Sequence, residues 1–274
     1  MNRPAASPAS RSDRLAIGEH LRDWRQRRRM SQMDLALDAG VSTRHLSFVE
    51  TGRAAPSRDM ILKLAECLDI PLRERNVLLV AGGFAPVFPE RGLDHPAVAA
   101  ARRAIDIVLA GHEPYPAVAL DRHWNLVAHN RAIAPLIEGC DPTLLAPPVN
   151  MLRLALHPKG IAPRIDNLAE VRTHLIARLR RQFEVSADAG LQALLAEVTA
   201  YPVPLAHPHP RKDREADALF IPVRLRSSAG RLTLISATTL FGTPVDVTLS
   251  ELAIETFLPA DAETAERLRR LSGG

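Results

Sequence analysis

The 274-residue sequence has little of what marks a secreted, membrane-spanning or disordered protein. It contains only two cysteines, too few for a disulfide framework, although a single bridge between Cys67 and Cys140 is compatible with the sequence. No apolar run reaches the roughly 18 residues that a membrane-spanning helix needs. Residues 1–14 lack the apolar stretch of a secretory signal and are predicted to form a disordered arm. We therefore expect a cytoplasmic protein with no membrane partner.

A strong overall charge is also missing, because the formal net charge at pH 7 is only +4. Residues 1–80 contain 14 Lys and Arg against 10 Asp and Glu, whereas residues 81–274 contain 21 of each. Local positive charge favours a polyanionic partner, but a surplus of four charges is equally compatible with an ordinary solvated surface. The length and the 46% hydrophobic content predict two globular domains.

The motifs of common enzymes are missing as well, since there is no G-x-S-x-G elbow, phosphate loop or Rossmann glycine pattern. His207 and His209 lie close together, but no cysteine or acidic pair stands beside them at a zinc spacing, and the adjacent prolines favour a solvated loop. Cys140 has no histidine partner nearby and is predicted to be a buried small residue. We expect no enzyme, metal or cofactor. An enzyme fused to another domain stays as an alternative that would need reactive residues converging on a cleft.

What is present begins with five short predicted helices. Apolar residues recur at helical spacing, and serines precede several helices, where a hydroxyl can accept a hydrogen bond from a free backbone N–H. Gly40 and Gly52 follow two of the helices, because glycine readily adopts the left-handed conformation of a helix end. The predicted helices cover residues 16–29, 32–39, 43–51, a fourth segment capped by Ser57 and ending at Leu68, and 72–80.

Residues 31–52 (SQMDLALDAGVSTRHLSFVETG) have the spacing of a helix-turn-helix. Ala36 is small enough to let two helices cross closely, Gly40 forms the corner, and Glu50 is expected to pair with a basic residue of the first helix. Such a corner can also be a plain packing unit. The sequence here resembles the Xre and Cro repressors over residues 15–80, which implies an all-α, lambda-repressor-like DNA-binding domain.

The third predicted helix, residues 43–51, carries side chains that the core does not require. Arg44 is the first candidate for a base contact, because arginine can form a bidentate hydrogen bond to guanine in the major groove. Thr43 and Ser47 are expected to bond a base or a phosphate, and Phe48 to touch a thymine methyl group. We expect this helix to be the recognition helix.

Further contacts with DNA are expected outside that helix. The resemblance implies that Gln32 contacts the DNA backbone or a base, and Arg53 and Ser57 are predicted phosphate contacts. Four arginines near the end of the first helix complement its dipole or face phosphates; they are Arg25, Arg27, Arg28 and Arg29. The predicted DNA-contacting residues are Gln32, Thr43, Arg44, Ser47, Phe48, Arg53 and Ser57.

A change in composition marks the end of this domain. Residues 81–96 contain three glycines and three prolines, which is typical of a linker. We place the boundary near Gly83. The predicted organisation is an arm at 1–14, a helix-turn-helix domain at 15–83, a linker at 84–96 and a second domain at 97–274.

The second domain combines helical and strand patterns. Two short strands are predicted around a turn at Asp121 and Arg122, and alternating residues at 218–241 predict a hairpin turning at Ala229-Gly230. Thr248 and Glu251 fit a capping box that would open a helix through Phe257. Further helices are predicted at residues 97–109, 130–137, 168–183 and 187–200. Helices on an antiparallel sheet predict an α+β domain.

Three segments of this domain resemble the ligand-binding domain of MmyB-like regulators: residues 124–130 (WNLVAHN), 178–183 (RLRRQF) and 242–261 (GTPVDVTLSELAIETFLPAD). The resemblance covers most of residues 97–271. It implies a PAS-like sensor domain with a pocket for a small molecule, such as an acyl chain, between the sheet and its helices.

The residues themselves leave two readings open, because the apolar side chains could line a pocket or simply fill a core. The apolar candidates are Trp124, Leu126, Leu152, Leu154, Leu156, Phe220, Ile221, Leu234, Ile235, Phe241 and Phe257. Asn130 and Arg153 are the candidate polar anchors. The residues predicted to bind the ligand are Trp124, Asn130, Arg153, Leu154, Ile221, Ile235 and Phe241.

Together these patterns predict a transcription regulator that binds double-stranded DNA as a homodimer and senses a small apolar ligand. The ligand must favour one arrangement of the sensor to change DNA binding. The alternative is a helix-turn-helix adaptor or antitoxin-like protein whose second domain binds a protein partner.

Overall fold

The computed structural model describes residues 11–92, 95–202, 221–240 and 246–272. They form two units whose division along the chain falls between Arg91 and Gly92, inside the predicted linker. The first helix begins at Arg11, so the end of the predicted arm is helical. The rest of that arm lies outside the described residues.

Within the described residues, the first unit consists of five helices, as predicted. They are α1 Arg11–Arg27, α2 Gln32–Asp38, α3 Thr43–Glu50, α4 Arg58–Cys67 and α5 Leu72–Ala81. The hydroxyl groups of Ser31, Ser42 and Ser57 cap α2, α3 and α4 by accepting backbone N–H bonds. Gly40 (φ 60°) and Gly52 (φ 69°) take the left-handed conformation that ends α2 and α3.

The helices surround one apolar core whose largest fully buried members include Ile17, Leu21, Leu35, Leu46, Ile61, Leu64 and Leu79. Gly18 lets α1 approach α3 closely. A Cβ atom on Gly18 would lie 2.5 Å from the carbonyl oxygen of Val49 and 2.9 Å from that of Glu50. The crossing of α1 and α3 therefore depends on a glycine.

The second unit contains eight α-helices and five strands within the described residues. Its helices are α6 Ala99–Gly111, α7 Ala134–Ile137, α8 Pro142–Leu145, α9 Met151–Leu156, α10 Leu168–Ser186, α11 Ala189–Ala200, α12 Val247–Ser250 and α13 Ala262–Ser272. Its strands are β1 Ala117–Leu120, β2 Leu126–His129, β3 Val223–Ser227, β4 Gly230–Leu240 and β5 Ala253–Pro259.

The strands form one antiparallel sheet in the order β2-β1-β5-β4-β3. The predicted β3–β4 hairpin is confirmed, with Ser227 paired to Gly230. On one face, small residues of β1 pack against α6 through Ile105, Leu109, Ala117, Ala119 and Ile254. On the other face lies a cluster with α9, α10 and α11 that includes Val118, Leu120, Leu152, Leu179, Leu191 and Leu194.

The helix predicted to run from Thr248 to Phe257 is wrong. Helix α12 ends at Ser250, and residues 253–259 form β5, the central strand of the sheet. Pairing with β1 on one side and β4 on the other satisfies the backbone of β5, which a local capping signal cannot reveal. The α+β class predicted for this domain is confirmed.

Both cysteines are free thiols, and Cys140 is buried as predicted. Among the described helices, none has the length and apolarity to cross a membrane.

Candidate functional site

Helix α3 presents one face away from the core of the first unit. Thr43 and Arg44 are exposed, and Ser47 and Phe48 are half-buried, whereas Leu46 and Val49 are fully packed inside. The Ser42 cap fixes where this helix begins, because its hydroxyl accepts the backbone N–H of His45. The predicted base-reading side chains are therefore accessible to a partner.

Phe48 brings two arginines together on this face. The Arg44 guanidinium lies 5.3 Å from the centre of the Phe48 ring, and that of Arg53 lies 5.9 Å from it. Cations at such distances are attracted by the face of an aromatic ring. Arg53 is held further by its backbone N–H, which donates to the Phe48 carbonyl at 2.8 Å. Within the described part of the chain, neither guanidinium forms an ion pair, so both charges are available to an anion.

The end of α3 is anchored by Glu50, which is 2% exposed. Arg25 donates two hydrogen bonds to its carboxylate, from Nε at 2.7 Å and from Nη2 at 2.9 Å, and this confirms the predicted pairing with the first helix. Burial opposes the ionised form, but the hydrogen bonds from Arg25 and Gln32 outweigh it and hold the pKa of Glu50 below its ordinary value. The charged network fixes α3 against α1.

Gln32, predicted to contact DNA, is part of this network. Its Nε2 donates to Glu50 Oε2 at 2.8 Å, and its side chain is half-buried at the start of α2. Ser57 is exposed, and its oxygen accepts the Met60 N–H as a helix cap, which leaves the hydroxyl hydrogen to donate.

Two of the four arginines near the end of α1 have structural roles. Arg25 binds Glu50, and Arg28 donates to the Leu68 and Asp69 carbonyls at 2.7 Å each, at the end of α4. Arg27 and Arg29 are exposed. Of these four arginines, Arg27 and Arg29 are therefore the two whose charge lies at the surface.

A cavity of about 130 Å³ lies in the second unit, between the sheet and helices α9 and α10. Among the described residues, its wall is apolar except at His174, Ser236 and Glu255. Aliphatic and aromatic side chains make up most of the wall, among them Val118, Leu120, Trp124, Ile133, Met151, Leu152, Ala155, Val171, Leu175, Leu234 and Phe257. A mostly apolar wall with a few polar groups suits a small apolar ligand that carries a polar group.

The acidic member of the wall, Glu255, is 5% exposed and lies on β5. Its Oε1 accepts a hydrogen bond from Arg178 Nη1 at 3.0 Å. The same guanidinium lies 4.4 Å from the centre of the Trp124 ring, and the Trp124 indole N–H donates to Gln182 at 2.7 Å. Arg178 and Gln182 do not line the cavity, but they hold two of its wall residues, Trp124 and Glu255, in place.

The cavity contains two of the residues predicted to bind ligand, Trp124 and Ile221. Leu154 and Ile235 do not line it, and Phe241 lies outside the described residues. Both predicted polar anchors are also elsewhere. Asn130 is buried and bonds the backbone of Leu109, Tyr115 and Ala117, and Arg153 forms a bidentate pair with Glu197. The polar atoms of Asn130 and Arg153 are thus engaged by other groups of the protein.

Sequence reasoning missed the polar wall residues His174, Ser236 and Glu255. Alternation along β5 could have indicated which face Glu255 occupies, but this segment was assigned to a helix. Arg178 and Gln182 belong to residues 178–183, one of the segments that resemble the MmyB-like regulators, but no sequence signal indicates their role. No group of three or more potential metal ligands occurs among the described residues, and His207 and His209 lie outside them.

Similarity to known proteins covers both units. Residues 101–271 match the family described as MmyB-like transcription regulator ligand binding domain, and residues 21–75 match the helix-turn-helix family. A helix-turn-helix-type transcriptional regulatory protein of Methanoculleus marisnigri is 38% identical over 117 residues, 41% of this chain and 37% of the relative. The regulator RghRB of Bacillus subtilis is 35% identical over 75 residues, 27% of this chain and 52% of the relative. The chain thus spans about half or less of either relative.

Two solved structures are similar to part of this chain. The restriction-modification controller protein C.AhdI of Aeromonas hydrophila is 38% identical and covers 23% of this chain and 96% of its own, with a TM-score of 0.22. The clp gene regulator ClgR of Corynebacterium glutamicum is 26% identical and covers 26% of this chain and 87% of its own, with a TM-score of 0.23.

Proposed function

This chain belongs to the MmyB-like transcription regulators and carries a helix-turn-helix and a ligand-binding domain, and on that premise we propose that α3 reads the major groove while a small apolar ligand occupies the cavity. The observation that carries the DNA-reading part is the outward face of α3, where Arg44 is exposed beside Phe48. Helices of this kind place the residues near their N-terminus against base edges.

We assign different tasks to the residues of this face. Arg44 reads a guanine through bidentate hydrogen bonds, with Thr43 and Ser47 bonding a neighbouring base or phosphate. Arg53 and Ser57 bind phosphates and orient the helix. Phe48 keeps the two guanidinium groups in place and can still touch a thymine methyl group at its free edge. Gln32 orients α3 through Glu50 and reaches the DNA backbone from the start of α2.

The test is a comparison of single alanine variants on an operator selected from a random duplex library and on random DNA. Arg44→Ala should cost about 1–3 kcal/mol at one base-pair position and relax the preference there. Arg53→Ala should weaken binding to all sequences and lower the slope of log K against log[salt] by about 1. Arg103→Ala, an exposed arginine of α6, serves as the matched control and should change neither quantity. Equal losses for Arg44→Ala on selected and random DNA would refute its role in base reading.

We further propose that the protein acts as a homodimer, which would set two α3 helices about 34 Å apart on a pseudo-palindromic site. On α5, Val77 and Val80 are 43% and 58% exposed, although the adjacent Leu78 and Leu79 are fully buried. Exposed apolar residues on one helix face favour association with a second copy. Sedimentation equilibrium should show a dimer, and Val80→Glu should shift it towards monomer.

For the ligand, we propose a small apolar molecule, with an acyl chain as one chemistry that the wall would accept. A dry cavity of about 150 Å³ holds benzene in another protein, so about 130 Å³ suits a group of roughly six or seven non-hydrogen atoms. Binding would change DNA affinity only if the ligand prefers one arrangement of the sensor. Native mass spectrometry of the purified protein would identify a retained ligand directly.

A further inference from the structure

The cavity wall contains one acidic side chain among mostly apolar ones, and this bears on the chemistry of the ligand. Glu255 projects from the central strand into a wall that is otherwise nearly all apolar, and its side chain is almost fully shielded from solvent. Ionised groups in such surroundings are stable only when they are paired or hydrogen-bonded. Glu255 meets this requirement through Arg178, at 3.0 Å.

A ligand in this cavity meets the carboxylate rather than the guanidinium. Glu255 lines the cavity, whereas Arg178 does not. Arg178 is held away from it by two partners, the Glu255 Oε1 atom and the face of the Trp124 ring. The positive charge of Arg178 is therefore already engaged, and the group that this part of the wall presents to the ligand is a hydrogen-bond acceptor.

One oxygen of that acceptor is still available. Among the described residues, the hydrogen bond from Arg178 goes to Oε1, and no group donates to Oε2. An acceptor that faces the cavity loses contact with water when a ligand enters, so a ligand that donates a hydrogen bond there is favoured over one that cannot. A carboxylate ligand would instead place a second negative charge beside Glu255 in surroundings that screen charge poorly. Ser236 also lines the cavity, and its hydroxyl can both donate and accept.

We propose that the ligand of this cavity is a small apolar molecule with a hydroxyl hydrogen-bond donor, an aliphatic alcohol or phenol in chemical class, whose O–H donates to Glu255. This inference rests on the proposed function, because it assumes that the cavity is the ligand site. It sharpens that function by separating neutral donors from acids of the same chain length.

The experiment compares 1-hexanol with hexanoate on the full-length protein carrying Trp24→Phe, so that Trp124 in the cavity wall is the fluorescence reporter. Titrations at constant ionic strength and neutral pH give the two dissociation constants. We expect 1-hexanol to bind at least tenfold more tightly than hexanoate. In Glu255→Gln, the loss of the carboxylate charge should improve hexanoate binding at least tenfold and change 1-hexanol binding less than threefold. Glu138→Gln, at an exposed position of the same unit, should keep the original preference.

The outcomes separate the two proposals. Binding of hexanoate as tightly as 1-hexanol, or more tightly, would overturn the donor assignment and leave the cavity as the ligand site. Binding of neither compound, with no change in Trp124 emission or in the melting temperature, would overturn both. If Glu255→Gln does not fold, the preference measured with the Trp24→Phe protein alone still decides the donor assignment.

Discussion

The two units carry their candidate functions in opposite places. In the first unit the proposed DNA-reading side chains lie on the surface, and the interior holds an apolar core, a buried ion pair and a close helix crossing. In the second unit the proposed function lies inside, in a space left between the sheet and its helices. A surface site needs rigid support beneath it, whereas an internal site needs incomplete packing. A substitution that adds volume to the interior should therefore destabilise the first unit and stabilise the second.

The two tryptophans allow each unit to be followed separately, because Trp24 is buried in the first unit and Trp124 in the second. Single-tryptophan proteins made with Trp124→Phe or Trp24→Phe would report urea unfolding unit by unit.

The largest expected effect is that of Glu50→Ala. Removing this carboxylate leaves Arg25, only 9% exposed, without its partner, and breaking a buried ion pair in this way costs about 3–5 kcal/mol. The Trp24 transition should move to much lower urea, while the Trp124 transition should move far less. Asp23→Ala, at an exposed position of α1, should change either transition by no more than about 0.5 kcal/mol. Equal shifts of both reporters would show that the comparison between the units does not hold.

A smaller loss is expected for Gly18→Ala. The added Cβ would meet the Val49 carbonyl at 2.5 Å, and backbone cannot move aside as a flexible side chain can. Overpacking of this kind costs about 1–3 kcal/mol, seen in the Trp24 transition. Gly111→Ala is the matched control, because nothing lies within 4 Å of its added Cβ. A Gly18→Ala protein as stable as this control would contradict the proposed tight crossing of α1 and α3.

In the second unit, adding volume should stabilise instead of destabilise. Ala155→Leu introduces a larger apolar side chain into the cavity wall, and filling a cavity contributes about 0.5–2 kcal/mol. The Trp124 transition should move to higher urea, and binding of 1-hexanol should be lost. Destabilisation together with unchanged binding would mean that this space is not the ligand site.

The smallest expected effect is the pH dependence of the first unit. Because the folded-state pKa of Glu50 lies below its ordinary value of 4.5, its contribution to stability is complete above that value and is lost as the pH falls through the folded-state pKa. The Trp24 transition should therefore weaken progressively in acid below about pH 4.5, and Glu50→Gln should reduce this dependence. An unchanged acid dependence in Glu50→Gln would assign the effect to other carboxylates.

Much of the first unit could be predicted from the sequence because its signals are local. The capping serines, the glycines after α2 and α3, and the spacing of apolar residues all act within a few positions. The pairing of Glu50 with a basic residue of the first helix was predicted from the helix-turn-helix motif itself, and Arg25 is that residue. The role of Gly18 could not be predicted, since the atoms that would clash with its Cβ belong to a helix some thirty residues later.

The second unit was predicted less completely because its decisive contacts are between distant residues. Arg153 looked available as a ligand anchor, but Glu197 engages it, and Asn130 is used by the backbone around it. Residues 253–259 carried a helix-capping signal just before them, yet pairing on both sides makes them a central strand.

The sequence by itself determined the helix-turn-helix, the class of the second unit and the side chains available on the outer face of α3, because helix caps, turns and periodicity act over short stretches of chain. Only the tertiary structure decided which side chains face the cavity and which are engaged by the protein. A cavity wall is assembled from residues that are far apart in sequence, and whether a polar group is free or satisfied depends on the partner that folding brings to it.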